Sequence, residues 1–217
     1  MPLFIVLDGT DGSGKATQAK HVKESLEEMG KRVKLISFPN YESPYSVFVK
    51  DYLNGKFGDS ADAINPYAAS LFYAMDRYGT WITELKASWN DYDVVVADRY
   101  VSSNLIHQAS KMPLDMLPEF AEWLEKTEFD ILGLPRPDKI IFLDMPRATA
   151  MMLSKNRPLK NGGCKDIHEE DISYMEKSYN TARKCAELMH WDTVYCAKPN
   201  LLPLSEEEIT TNIMKIL

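Results

Sequence analysis

The stretch LFIVLDGTDGSGKAT, residues 3–17, decides the fold of this chain. Its first five residues are apolar, which is typical of a β-strand covered on both faces. From Gly9 to Lys15 the spacing is G-x-x-x-x-G-K, the pattern of a phosphate-binding loop, and helix-forming residues follow it. A strand, this loop and a helix in succession predict a P-loop unit that binds nucleotide phosphates.

The loop is expected to hold phosphate through its backbone and one lysine. Glycines let several N–H groups point inward, and the start of the helix adds partial positive charge. Lys15 is expected to reach the β- and γ-phosphates and to take part in catalysis. We assign nucleotide binding to the whole loop, namely to Gly9, Thr10, Asp11, Gly12, Ser13, Gly14, Lys15, Ala16 and Thr17.

One position departs from the usual pattern of such loops. Ala16 stands where a Ser or Thr hydroxyl normally ligates Mg²⁺, and Thr17 points in another direction on the helix. Two explanations stay open: Mg²⁺ is held by phosphates, water and a nearby carboxylate, or metal binding is weak.

The rest of the chain alternates between strand-like and helical segments. Further apolar runs occupy residues 33–37, 94–97, 139–143 and 193–196, and helical patterns occupy residues 17–29, 65–89, 113–127, 146–156, 171–189 and 205–217. This alternation predicts an α/β fold: a P-loop NTPase-type parallel β-sheet of about five strands flanked by helices, in one domain over residues 1–217. Functional residues should gather where the strands end.

Composition argues against several classes of protein. The chain has 217 residues with 25 Lys+Arg and 32 Asp+Glu, a net charge of −7, whereas a protein that coats nucleic acid needs surplus cations. Three cysteines are too few for a disulfide scaffold, and the first apolar run is too short for a signal peptide or a membrane span. We therefore expect a cytoplasmic protein that binds neither nucleic acid nor membrane.

A second polar motif, Asp98-Arg99-Tyr100, directly follows the third predicted strand. Arg99 can hold phosphate oxygens through two parallel hydrogen bonds, and Asp98 can contact Mg²⁺ or its water. Because parallel strands end at one edge of the sheet, this motif should lie near the phosphate loop. A purely structural Asp–Arg pair is the alternative explanation.

Taken together, these motifs resemble the thymidylate kinase (dTMP kinase) family of P-loop nucleoside monophosphate kinases. The resemblance rests on the phosphate loop, on Phe38-Pro39 and on Asp98-Arg99-Tyr100, all in family order. It also rests on YAMDR at 73–77, SSN at 102–104 and GLPRPD at 133–138. It extends from about residue 3 to residue 143 and is weaker beyond.

The resemblance implies a reaction and its participants. The γ-phosphoryl group of ATP, with Mg²⁺, would pass to the 5′-phosphate of dTMP and give dTDP. The acceptor oxygen is already ionised at neutral pH, so no strong general base is needed, and positioning with charge neutralisation by Lys15, Arg99 and Mg²⁺ suffices. The family also implies a homodimer.

Roles for acceptor-site residues follow from the same resemblance. Asp11 would contact the 3′-hydroxyl of dTMP, and Phe38 with Pro39 would wall its site. Tyr73 would stack on thymine unless it is simply a core aromatic residue, and Arg77, on the same helix face, would hydrogen-bond the base edge. Ser103 and Asn104 match positions that read the polar edge of thymine. His107 stands where Tyr or Phe is common beside the deoxyribose, and a purely structural histidine is the alternative.

A lid is predicted at about residues 155–168. Residues 155–165 contain Lys155, Arg157, Lys160 and Lys165 and no acidic residue. In the family a lid at this position closes over ATP, so Arg157 is assigned to nucleotide binding. Ile167 stands where the family has Arg, and a solvated basic loop is an equal alternative.

Two other functions stay open. A deoxynucleoside kinase shares the loop and the Asp-Arg motif but normally needs a base for its hydroxyl acceptor. A catalytically weak nucleotide-binding or regulatory protein is suggested by Ala16 and Ile167. The pairs Phe38-Pro39 and Tyr73…Arg77 favour a monophosphate acceptor.

Overall fold

The computed structural model describes residues 1–58, 60–154 and 172–217, and its centre is a parallel sheet. The sheet has five strands in the order β2-β3-β1-β4-β5, and helices cover both of its faces. The predicted α/β fold is therefore confirmed. The strands are β1 (Leu3–Asp8), β2 (Val33–Ser37), β3 (Val94–Asp98), β4 (Lys139–Asp144) and β5 (Asp192–Tyr195).

Helices connect the strands. Within the described ranges, none of them is both long and apolar enough to cross a bilayer. The α-helices are α1 (Lys15–Glu28), α2 (Val47–Leu53), α3 (Pro66–Thr80), α4 (Ser102–His107), α5 (Leu117–Glu125), α6 (Arg147–Ser154), α7 (Ile172–Leu188) and α8 (Glu206–Met214).

Strand β1 contributes to a core on each face of the sheet. Phe4 and Val6 belong to one apolar cluster, whereas Ile5 and Leu7 belong to the other. Because successive side chains of a strand point to opposite faces, a strand covered on both sides needs apolar residues throughout. This burial explains the uninterrupted apolar run with which the chain begins.

The register of β1 and β3 brings the two polar motifs together. Leu7 pairs with Asp98, and the Arg99 N–H donates to the Leu7 carbonyl at 3.1 Å. The chain after β1 therefore leaves the sheet beside the chain after β3. The phosphate loop and Asp98-Arg99 lie at the same edge of the sheet, as the sequence predicts.

Two segments predicted as helices are α-helical over only part of their length. The segment 65–89 is α-helical only to Thr80 and continues as a π-turn (Trp81–Leu85) and a 3₁₀ segment (Lys86–Asp91). The segment 113–127 likewise ends in a π-turn (Lys126–Ile131). Apolar spacing indicates which face is buried but does not distinguish π from α hydrogen bonding.

Helix starts agree better with the prediction. The Asn65 side chain accepts from the Ala68 N–H at 2.9 Å, and Ser205 with Glu208 forms a complete capping box. Two short helices, α2 and α4, were not predicted, because seven and six residues are too few to show a helical period.

Candidate active site

At two positions of the loop between β1 and α1, both the backbone angle and the close packing require glycine. Gly9 has φ 155°, and a Cβ placed there would lie 2.9 Å from the Leu143 carbonyl oxygen. Gly12 has φ 81°, and its Cβ would lie 3.1 Å from the Cβ of Ala150. Other residues would strain the backbone or push against β4 and α6. The loop is thus held tightly against the sheet.

Lys15 is the first residue of α1, and its side chain curls back over the loop. The side chain is nearly buried, and Nζ donates to the Thr10 carbonyl at 2.8 Å and to Ser13 Oγ at 3.4 Å. Burial and the nearby Arg99 lower the pKa of Lys15 to about 8, against the opposing effect of Asp11. An ammonium group held here favours a bound anion, because an anion would stabilise its charge.

Among the described residues near the loop, Asp98 has a carboxylate oxygen that could hold a metal ion. Ala16 is exposed on α1 and has no side-chain oxygen, and Thr17 is partly buried. Asp98 Oδ1 is buried and has no hydrogen-bond partner within the described ranges. An orphaned carboxylate oxygen beside a phosphate loop fits Mg²⁺ or a water of its hydration shell. No group of three or more His, Cys, Asp or Glu suited to a metal occurs in the part of the chain that the structure describes.

Arg99 connects the phosphate loop to α4. Its Nη2 forms an ion pair with Asp11 of the loop. Its Nη1 donates to His107 Nε2 at 2.9 Å and to Ser103 Oγ at 3.3 Å, both on α4. Because a guanidinium cannot accept a hydrogen bond, His107 Nε2 must be the unprotonated acceptor. Three predicted site residues therefore meet around the guanidinium group of a fourth, Arg99.

Asp8 is a site residue that the sequence reasoning missed. Its carboxylate is fully buried and accepts from the Gly9 N–H at 2.8 Å, Ser102 Oγ at 2.6 Å and Ser103 Oγ at 2.8 Å. It also lies 3.9 Å from Arg99 Nη1. The available signal was an acidic residue that ends an apolar strand directly before the loop. Through these hydrogen bonds Asp8 connects the loop to the start of α4.

Arg77 and Asn104, predicted to read the base edge, meet at a second missed carboxylate. Arg77 is almost fully buried, and its Nε and Nη2 donate to the two oxygens of Glu128, each at 2.6 Å. Asn104 Nδ2 donates to Glu128 Oε1 at 3.3 Å. Glu128 is fully buried in the π-turn after α5. No local motif marks it, because its partners are remote in sequence.

The predicted aromatic residues lie at different depths. Phe38 is buried, with its ring 5.8 Å from that of Tyr100, and the peptide bond to Pro39 is cis. Tyr73 is partly buried, and its ring meets the ring of Tyr52 edge-on at 6.5 Å. Phe38 therefore belongs to the core beneath the site, whereas Tyr73 lies closer to the surface.

Gln108 was also missed by the sequence reasoning. It directly follows His107, is 1% exposed, and neither atom of its amide group has a partner in the described ranges. An unsatisfied buried amide is costly, so this side chain is a candidate ligand contact. The predicted Arg157 and the lid at 155–168 lie outside the described residues.

The sequence of this chain matches known proteins. The thymidylate kinase family model matches residues 7–206. The thymidylate kinase of Mycobacterium tuberculosis strain H37Rv is 30% identical over 178 residues, covering 81% of this chain and 82% of that protein. The human thymidylate kinase is 26% identical over 222 residues, covering 99% and 94%.

The fold also has a match among solved structures. A thymidylate kinase structure from Candida albicans has a TM-score of 0.68 and 19% identity, and the match covers 99% of this chain and 90% of that chain. At this identity the likeness shows the fold alone. The family model, however, covers nearly the whole chain in sequence, and the phosphate loop and the Asp98-Arg99 motif meet at one edge of the sheet. This chain therefore belongs to the thymidylate kinase family.

Proposed function

We propose that this protein transfers the γ-phosphoryl group of ATP to dTMP and so forms dTDP. Membership of the thymidylate kinase family supports this activity. The observation that carries the proposal is the position of Arg99, which contacts Asp11 of the phosphate loop and His107 of α4 at once. A single guanidinium group thus joins the phosphate loop to α4, which supports a role for Arg99 in neutralising the charge that develops during transfer.

Each residue of the donor side has a task that needs no proton transfer. The N–H groups of residues 9–15 cradle the phosphates of ATP, and Lys15 balances charge on the β- and γ-phosphates. The attacking oxygen belongs to a phosphate that is ionised at neutral pH. Catalysis then consists of alignment and charge neutralisation, with Arg99 and Lys15 as the catalytic residues.

Mg²⁺ fits the same site through Asp98. The buried and unpartnered Asp98 Oδ1 would hold the ion directly or through water, and the ion would neutralise charge on the transferred phosphoryl group. Because Ala16 supplies no oxygen, the phosphates of ATP and water would complete the coordination.

On the acceptor side, we assign base recognition to α3 and α4. Tyr73 stacks on thymine, and Phe38 and Pro39 wall the site. Arg77 and Asn104 contact the polar edge of the base, and the unsatisfied amide of Gln108 is a further contact of this kind. The sugar is assigned to Asp11 and His107, the phosphate to Arg99, a further contact with the polar base edge to Ser103, and the nucleotide lid to the segment with Arg157.

A coupled assay with ATP and Mg²⁺ tests this function against a panel of dTMP, dUMP, dCMP and thymidine. Turnover with dTMP is expected. Turnover with thymidine but not dTMP would instead identify a deoxynucleoside kinase, which family membership does not favour. Nucleotide binding without turnover at any Mg²⁺ concentration would contradict the proposal and point to a regulatory protein.

The metal assignment yields a separate prediction. Ala16→Ser restores a hydroxyl at the start of α1, so it is expected to lower the Mg²⁺ concentration needed for half-maximal activity while kcat changes by less than about threefold. Asp98→Asn should act in the opposite direction and raise the Mg²⁺ requirement. Titration of initial rate with Mg²⁺ measures both. An unchanged requirement in both variants would show that other groups hold the metal.

We also propose a homodimer built on an apolar stripe of α3 and the turn after it. The stripe consists of Leu71, Met75, Tyr78 and Ile82, each between 37% and 45% exposed. Their spacing of four, three and four residues places them on one helix face. Val47 and Phe48 of α2 are also exposed, and Phe48 stacks on Phe72 of α3 at 5.6 Å. Contiguous apolar surface of this kind is typical of a protein interface.

Disruption of the stripe tests the homodimer. Met75→Glu buries a charge in the proposed interface and is expected to weaken dimerisation about 100-fold or more, shifting the mass towards that of one chain. Light scattering after size exclusion measures the mass. Leu114→Glu, at an exposed apolar residue outside the stripe, is the matched control and should stay dimeric. A wild-type monomer at micromolar concentration would contradict the proposal.

A further inference from the structure

We propose that Glu128 is the positioning residue that sets the hydrogen-bond polarity of the base-reading edge and so makes the site select thymine over cytosine. This inference rests on the proposed function and adds the source of its base selectivity. Its basis is one contact pattern: a single buried carboxylate holds both Arg77 and Asn104.

The first half of the pattern fixes donors. Glu128 engages Nε and one side of Nη2 of Arg77 through two parallel bonds of 2.6 Å, which locks the plane of the guanidinium. Arginine has five N–H donors, and Nη1 has only a long contact of 3.4 Å to the Tyr100 carbonyl among the described residues. Burial works against the charge of Arg77, but Glu128 outweighs it and raises the arginine pKa above its ordinary value. The Nη1 donors remain for an acceptor on a ligand.

The second half of the pattern fixes an acceptor. Asn104 Nδ2 donates to Glu128 Oε1 at 3.3 Å and to the Ser70 carbonyl at 3.4 Å. Both neighbours are acceptors, so the amide cannot turn around without placing its oxygen against two other oxygens. Oδ1 of Asn104 therefore points away from Glu128, and towards a ligand it can act only as an acceptor.

The donor of Arg77 and the acceptor of Asn104 can both pair with the polar edge of thymine but not with that of cytosine. Thymine presents an acceptor at O4 and a donor at N3–H, whereas cytosine presents a donor at N4 and an acceptor at N3. Reversed polarity leaves buried groups unpaired, which gives strong discrimination between ligands. Uracil has the same polar edge as thymine, so this device does not distinguish dUMP from dTMP.

The experiment compares kcat/KM for dTMP, dCMP and dUMP in the wild type, Glu128→Gln and Glu128→Asp. Glutamine keeps the shape but presents an N–H₂ group to Arg77 or Asn104, so either reader can rotate. In Glu128→Gln we expect the dTMP:dCMP ratio to fall at least about tenfold, through a higher KM for dTMP, with kcat nearly unchanged. The dTMP:dUMP ratio should stay within about twofold of the wild type.

Glu128→Asp is a second variant in case Glu128→Gln does not fold. It keeps the negative charge but shortens the side chain by one methylene. We expect it to lose part of the dTMP:dCMP selectivity. If Glu128→Gln does not fold, the same criteria apply to this variant. Glu125→Gln, an identical exchange at a carboxylate paired with Arg136 at 3.2 Å on the surface, should change neither ratio.

The outcomes separate the inference from the proposed function. A wild type that does not phosphorylate dTMP contradicts the function itself. A wild type that uses dTMP but accepts dCMP equally well overturns the inference alone. An unchanged dTMP:dCMP ratio in the folded variants, or a parallel loss of both ratios, also overturns it, since a parallel loss indicates general loosening of the site.

Discussion

Replacing Arg99 by alanine is expected to lower kcat with ATP and dTMP about 10²- to 10³-fold, the cost of removing one preorganised charge from a transition state. The side chain contacts Asp11, Ser103 and His107 and so connects the phosphate loop to α4. Alanine leaves these groups in place but removes the positive charge between donor and acceptor. The KM for ATP should change little, because the loop and Lys15 are untouched.

Steady-state kinetics with both substrates measures this effect, and two further variants delimit it. Arg99→Lys keeps the charge but not the forked geometry, so an intermediate kcat is expected. Arg32→Ala removes an exposed arginine, paired with Asp93 at 2.8 Å just before β2 begins, and should leave kcat unchanged. Near-normal turnover by Arg99→Ala would show that another cation stabilises the transition state.

Replacing Lys15 by methionine is expected to lower kcat about 10²-fold or more while the protein stays folded. Methionine has a similar length and no charge. Since burial already lowers the lysine pKa to about 8, the folded protein holds this ammonium at a cost, and an apolar side chain should raise the melting temperature. Opposite shifts in stability and activity are the signature of a charge retained for function.

Thermal melts and kinetics on the same preparation test both parts of this prediction. Lys20→Met is the matched control, because Lys20 lies on the same helix with its side chain 69% exposed. It should change neither property. A folded Lys15→Met protein with kcat within about tenfold of the wild type would refute the catalytic role of the lysine.

The parts of this molecule that are predictable from sequence are the local ones. The loop after β1 and the Asp98-Arg99 pair after β3 are short motifs, and parallel pairing brings strand ends to one edge without further information. Asp8 and Glu128 are different. Each is a buried carboxylate whose role depends on donors far along the chain, such as Ser102 or Arg77, and no spacing rule records such partners.

For the helices, too, the local features were predictable and the others were not. Asn65 and Ser205 mark the starts of α3 and α8 because a cap is a local hydrogen bond. The π-turn that carries Glu128 has the same polar and apolar alternation as an ordinary helix, so its wider turn is set by what it packs against. Arg77 and Asn104 were predicted from their motifs, whereas the Glu128 carboxylate that contacts both was the part of this cluster least visible in the sequence.

The backbone of Arg99 has a consequence for the evolution of this enzyme. Its φ of 67° is in the left-handed region, which costs an L-residue with a side chain about 1–2 kcal/mol. Glycine or asparagine would relieve that strain, but neither has a guanidinium. The ion pair with Asp11 and the nearby carboxylate of Asp8 offset that strain in this protein. Loss of Asp11 would leave the strain uncompensated, so residues 11 and 99 are expected to change together in evolution.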